Sequence, residues 1–133
     1  MKKTKSKKKV EGNYVDGFVL TVPKTKLNVY KRMAKEGRDM WMKRGALEYR
    51  ECFADDMRAP WSLAFPKLTK AKKNEIVVFS WIVYKSRADR NRINKEIMDG
   101  MKEYEKKNKK KTNNMPFDMK KMAYGGFKII VRE

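Results

Sequence analysis

The order of segments along this chain (strand, helix, strand, strand, helix, strand) predicts an α+β domain, a four-stranded antiparallel sheet with two helices across one face. Three observations carry that prediction. Short β-branched and aromatic runs alternate with stretches of three-and-four spacing, and Pro and Gly punctuate them. The length, 133 residues, suits a single core. One strand is apolar on both faces, so its sheet needs cover on two sides.

Taken in order, residues 14–22 (YVDGFVLTV) are short, β-branched and aromatic and stop at Pro23, the mark of a strand. Leu27, Tyr30, Ala34, Gly37 and Trp41 then fall on one helical stripe, with Gly45 as its C-terminal stop. Residues 46–54 (ALEYRECFA) alternate, placing Leu47, Tyr49 and Phe53 on one face of a second strand and Glu48 and Arg50 on the other. Residues 55–74 show no clear period and hold Pro60 and Pro66 beside Trp61, Leu63, Phe65 and Leu68. They read as a loop without its own element, long enough to serve as a lid or binding arm. Residues 75–84 (EIVVFSWIVY) form the strongest strand, apolar on both faces. Ser86 opens a helix as a capping residue, Ile93, Ile97, Met101 and Tyr104 carry its inward stripe, and Gly100 is expected to break it early. A lysine-rich loop through Asn114 leads to a last strand over 122–132, where Gly125 and Gly126 suggest a bulge or a close backbone approach.

This is the split β-α-β, ferredoxin-like order. Two helices cover only one face, so a second copy pairing sheet to sheet is the economical cover for the other, and a homodimer is expected. The segments YVDGFVL (14–20), GALEYRECFADD (45–56), VVFSWIVYKSRADRNRIN (77–94) and MPFDMKKMAYGGFK (115–128) resemble the YbaA-like family of small bacterial proteins. The resemblance implies the dimeric α/β-barrel superfamily, whose ferredoxin-like protomers pair through their sheets. It assigns no activity. The basic start and the 106–111 run depart from the family pattern, so a role built on them would not be a family role.

Composition bounds the chemistry. There is no histidine, which excludes histidine-based catalysis and removes the commonest ligand of a Zn or haem-iron site; no cofactor or metal is expected. Cys52 is the only cysteine, so no internal disulfide forms, and beside Phe53 it reads as a small hydrophobe. No apolar run approaches the roughly 20 residues that span a bilayer, and the cytoplasm is the expected compartment. The net charge is +19, but six lysines fall in residues 1–9 and five more in 106–111, so more than half of the excess sits in two runs. Residues 1–12 are expected to be a basic flexible tail and 13–133 the single domain. Lysine outnumbers arginine 26 to 9, and neither run holds the arginine forks or stacking aromatics of a sequence-reading site. A nucleic-acid role through Lys7, Lys8, Lys9, Lys109, Lys110 and Lys111 is therefore the alternative rather than the leading reading.

Polar residues that interrupt apolar stripes are the candidates for chemistry. Asp16 is in phase with Tyr14, Phe18 and Leu20, and Glu51 with Leu47, Tyr49 and Phe53; either carboxylate could be desolvated and act as a base, or form an ion pair with Arg87 or Arg90. Tyr84 and Tyr124 join them as catalytic candidates. Trp41, Trp61, Phe65 and Trp81 are candidates for lining or closing a ligand pocket, against the plainer reading of aromatic stripes as core. Asp55 and Asp56 suit turn chemistry better than a metal site. The leading functional reading is a dimeric barrel that binds a small organic molecule between sheet and helices, or acts on it without a cofactor. The alternatives are a nucleic-acid-associated protein and a non-catalytic structural or stress module.

Overall fold

The computed structural model describes residues 10–109 and 115–133. Four segments form one antiparallel sheet, β1 (Tyr14–Pro23), β2 (Glu48–Phe53), β3 (Glu75–Tyr84) and β4 (Ala123–Lys128), in the order β2-β3-β1-β4. Three helices join them: α1 (Leu27–Lys43), the short α2 (Phe65–Thr69) and α3 (Arg87–Asn108). The order and directions are those of the ferredoxin-like arrangement.

β1 and β3 pair along their whole length, from Tyr14 opposite Tyr84 to Pro23 opposite Glu75. Because side chains alternate, this register sets Tyr14, Asp16, Phe18, Leu20 and Val22 on one face with Tyr84, Ile82, Ser80, Val78 and Ile76. Tyr49, Glu51 and Phe53 continue that face across β2, and Tyr124 and Gly126 across β4. α1 and α3 cover it. Ile93 and Ile97 of α3 pack with Tyr14, Ile82 and Tyr84 at one end, and Tyr30 and Ala34 of α1 pack with Leu20, Val22 and Val78 at the other.

The helices end where local chemistry requires. Gly45 adopts φ +111°, a left-handed value that only glycine takes without strain, just past the end of α1. Ser86 caps α3 by accepting the Asp89 backbone N–H at 3.1 Å. Gly100 does not break α3. The helix continues to Asn108, taking in Lys106 and Lys107 that had been assigned to the following loop, because one solvent-exposed glycine costs a helix only about 1 kcal/mol. β4 stops at Lys128 rather than Arg132, since its partner β1 begins at Tyr14, directly opposite. No bulge interrupts it: Gly125 and Gly126 pair regularly with Gly17 and Asp16. The expected close approach is present at Gly126, where a β-carbon would collide with the Arg90 guanidinium and the Tyr14 hydroxyl.

The opposite sheet face is covered at one end only. α2, with Pro66 in its first turn, lies against β1 and β3, its Phe65 ring tilted against Phe79 at 6.2 Å, and Thr21 and Val77 are buried on that face. A loop without its own element was expected over this stretch. Farther along the same face Phe79 is 44% exposed, Trp81 and Val83 are half-buried, and Cys52 is exposed instead of buried as a small hydrophobe. At the termini of the domain, Arg132 donates to the Gly12 carbonyl at 2.9 Å and pairs with Glu11 at 3.7 Å. Among the described residues no helix is long and apolar enough to cross a membrane.

Candidate functional site

The two in-phase carboxylates come to rest in different surroundings. Asp16, 1% exposed, accepts the Tyr84 hydroxyl at 2.9 Å and the Tyr124 hydroxyl at 3.2 Å. Arg90 Nε lies 3.2 Å from its Oδ1 without hydrogen-bond geometry, so charge rather than a directed bond holds that pair, while Arg90 Nη2 donates to the Tyr14 hydroxyl at 3.0 Å. The ion pair is with Arg90 and not Arg87. Burial, followed by the Asp16 charge and hydrogen bond, holds the Tyr84 phenol above its ordinary value and keeps it protonated. Three of the four candidate catalytic residues, Asp16, Tyr84 and Tyr124, thus form one packed cluster. It lines neither of the two cavities found between α1 and the sheet.

Glu51 lines both of those cavities. Its carboxylate accepts the Tyr30 hydroxyl of α1 at 2.5 Å and the Tyr49 hydroxyl of its own strand at 2.8 Å. Burial first, then the Glu51 charge and hydrogen bond, raise both phenols well above 10.0, so at neutral pH both are donors. Each carboxylate oxygen keeps a lone pair with which to accept a further O–H or N–H. Gly37 permits this arrangement, because a β-carbon there would sit 2.7 Å from the Tyr49 hydroxyl.

The cavities are two chambers meeting at Tyr30, Ala34, Tyr49, Arg50 and Glu51. The inner one, about 220 Å³, lies between α1, α3 and the sheet and is lined by six methionines: Met33, Met40, Met101, Met115, Met119 and Met122. The outer one, about 330 Å³, opens at the β2 edge and carries Lys31, Lys35, Arg38 and Arg50. Residues 115–122, ahead of β4, line one side of the inner chamber. They supply Met115, Phe117, Met119 and Met122, and Phe117 sets its ring edge-on to Tyr30 at 5.8 Å.

The family model described as "Protein of unknown function (DUF1428)" matches residues 13–119. The chain belongs to this family. It is 41% identical over 122 residues to "Uncharacterized protein YbaA" of Escherichia coli (strain K12), and equally so to the protein of that name in Shigella flexneri; each match covers 90% of this chain and 98% of the relative. The part of the chain that matches DUF1428 includes Glu51, both of its tyrosines and all of α1, and ends among the lining residues 115–122.

Of the four aromatics expected to line or close a pocket in this DUF1428 member, only Trp41 does so, with its indole N–H bonded to Asn94 at 3.0 Å. Trp81 lies on the opposite sheet face and donates to Glu48 at 2.7 Å, and Phe65 packs at a tilt against Phe79 there. Trp61 is 85% exposed and lines neither chamber, whereas residues 115–122 supply lining to the inner one. Asp56 accepts the Arg58 backbone N–H at 3.2 Å, as turn chemistry requires. Of the lysines proposed for nucleic acid, Lys109 ends α3, and Lys7, Lys8, Lys9, Lys110 and Lys111 lie outside the described residues. Sequence reasoning missed Tyr30 and Tyr49 as site residues because each also completes an apolar stripe, and only tertiary packing brings Tyr30 onto Glu51.

Proposed function

We propose that this chain binds a small organic molecule in the pocket between α1 and the sheet, and does so as a homodimer paired through the opposite sheet face. One observation carries the binding reading: Glu51, held by two protonated tyrosines, stands where a methionine-lined interior meets an open mouth. A polar anchor in an otherwise apolar cavity is how small-molecule sites fix a ligand's orientation. Methionine walls adapt to the shape of what enters.

The dimer reading is supported by the other face. Phe79, Trp81 and Val83 of β3 and Phe127 of β4, 59% exposed, leave apolar surface without cover in the protomer. Each Å² buried there contributes about 25 cal/mol. The helix-side pocket stays free in such a pairing, because the two functions use opposite faces.

Titration with 2-naphthol, followed through the methyl signals of protein labelled at methionine, tests the pocket. The signals of the six lining methionines should move together while those of exposed Met42 and Met98 stay still. Movement confined to Met42 and Met98 would refute it.

A further inference from the structure

We infer that the pocket selects amphipathic monoanions, molecules with an apolar ring system ending in a carboxylate; this rests on the pocket reading and names its ligand class. Lys31, Lys35 and Arg38 follow one another at helical spacing along α1 and line the outer chamber beside Arg50. Arg38 is already paired with Asp39 at 3.0 Å, and Arg50 faces Glu48 at 3.7 Å. Among the described residues no carboxylate lies within 4.0 Å of the Lys31 or Lys35 ammonium. The acid in the chamber, Glu51, accepts one tyrosine hydroxyl on each oxygen and, among the described residues, forms no ion pair with Lys31 or Lys35. The mouth therefore offers two uncommitted cations.

The inner chamber imposes the other half of the selection. Beyond Arg50 and Glu51 at the junction, no charged residue among those described lines it. A charged head moved inward would lose its hydration without a partner, so the head stays at the mouth and the body points in. Thioethers make favourable contacts with aromatic ring edges, which suits the six methionines to a flat aromatic body. A cationic ligand would meet the lysines before reaching Glu51, and a neutral one would leave them unused.

Three probes share one body and differ in charge: 2-naphthoate, 2-naphthylmethanol and 2-naphthylmethylammonium. At low salt, calorimetry should rank naphthoate first by about fivefold or more over the alcohol and place the ammonium last, with added salt narrowing the gap. The Lys31→Gln/Lys35→Gln double variant changes two exposed residues and should keep its fold. It should lower naphthoate binding to the level of the alcohol and leave the alcohol unchanged. The inference is overturned if the alcohol or the ammonium binds as tightly as naphthoate, or if the double variant preserves the gap. Equal binding of all three with the lining methionine signals moving would overturn the anion selectivity and leave the pocket standing. Signals that move with none of the three would overturn the pocket itself, and the selectivity with it.

Discussion

Asp16 and Glu51 each interrupt an apolar stripe, and that pattern alone marks both as unusual carboxylates. What separates them is the company each keeps. Asp16 is enclosed by Tyr84, Tyr124 and Arg90, so it holds the sheet to α3; replacing it with alanine leaves Arg90 without its counter-charge and should cost about 3–5 kcal/mol in a denaturant titration. Glu51 faces a cavity, and its environment depends on Gly37. Gly37→Ala sets two effects against each other. Helix propensity favours alanine by about 1 kcal/mol, whereas pushing the Tyr49 hydroxyl off a carboxylate loses about 1.5–3 kcal/mol. The expected outcome is a net loss of about 1 kcal/mol, with naphthol binding reduced more than the melting temperature suggests. The same tyrosines set an alkaline limit. Below about pH 10 both phenols are protonated whether the chain is folded or not, so their contribution is fully present. Above it the unfolded chain ionises while the folded chain keeps its protons, and stability falls as pH rises. Urea midpoints between about pH 9 and about pH 11 should drop more steeply in the native chain than in Tyr30→Phe/Tyr49→Phe. At this scale the sequence reveals which carboxylates are unusual; the tyrosine that reaches Glu51 from α1 depends on how the helix docks, which no local pattern records.

Elements follow the same division. β3 is legible to the residue, because ten apolar-rich positions bounded by polar ends leave no alternative pairing length. β4 is not, since it is cut short by where β1 begins, a property of another segment. α2 has five residues, Pro66 among them, too few to show a period, and its place over Phe79 is set by tertiary contact. α3 shows both what the sequence marks and what it misjudges. Ser86 is recognisable as a cap, and Ser86→Ala should cost about 1 kcal/mol. Gly100 looks like a break but lies inside a continuous exposed turn with nothing within 4 Å of a β-carbon, so Gly100→Ala should stabilise the protein by about 0.5–1 kcal/mol. Chemical denaturation of the two variants should therefore give shifts of opposite sign. A loss of stability in Gly100→Ala would mean that the helix does bend there.

On the scale of the whole molecule the sheet has two faces with separate tasks. α1 and α3 cover one and leave the pocket at Glu51, and α2 covers only an end of the other. The apolar second face of β3, legible in the sequence, remains without full cover, which is the ground for the proposed pairing of two copies. In the proposed dimer, with the ligand on the helix side and the partner on the sheet side, each protomer would keep its own pocket, giving two ligands per dimer. Native mass spectrometry with saturating 2-naphthoate tests both halves in one measurement. The account predicts a species of twice the chain mass carrying two ligands. A monomer, an unliganded dimer, or a dimer that saturates with one ligand between its sheets would contradict it.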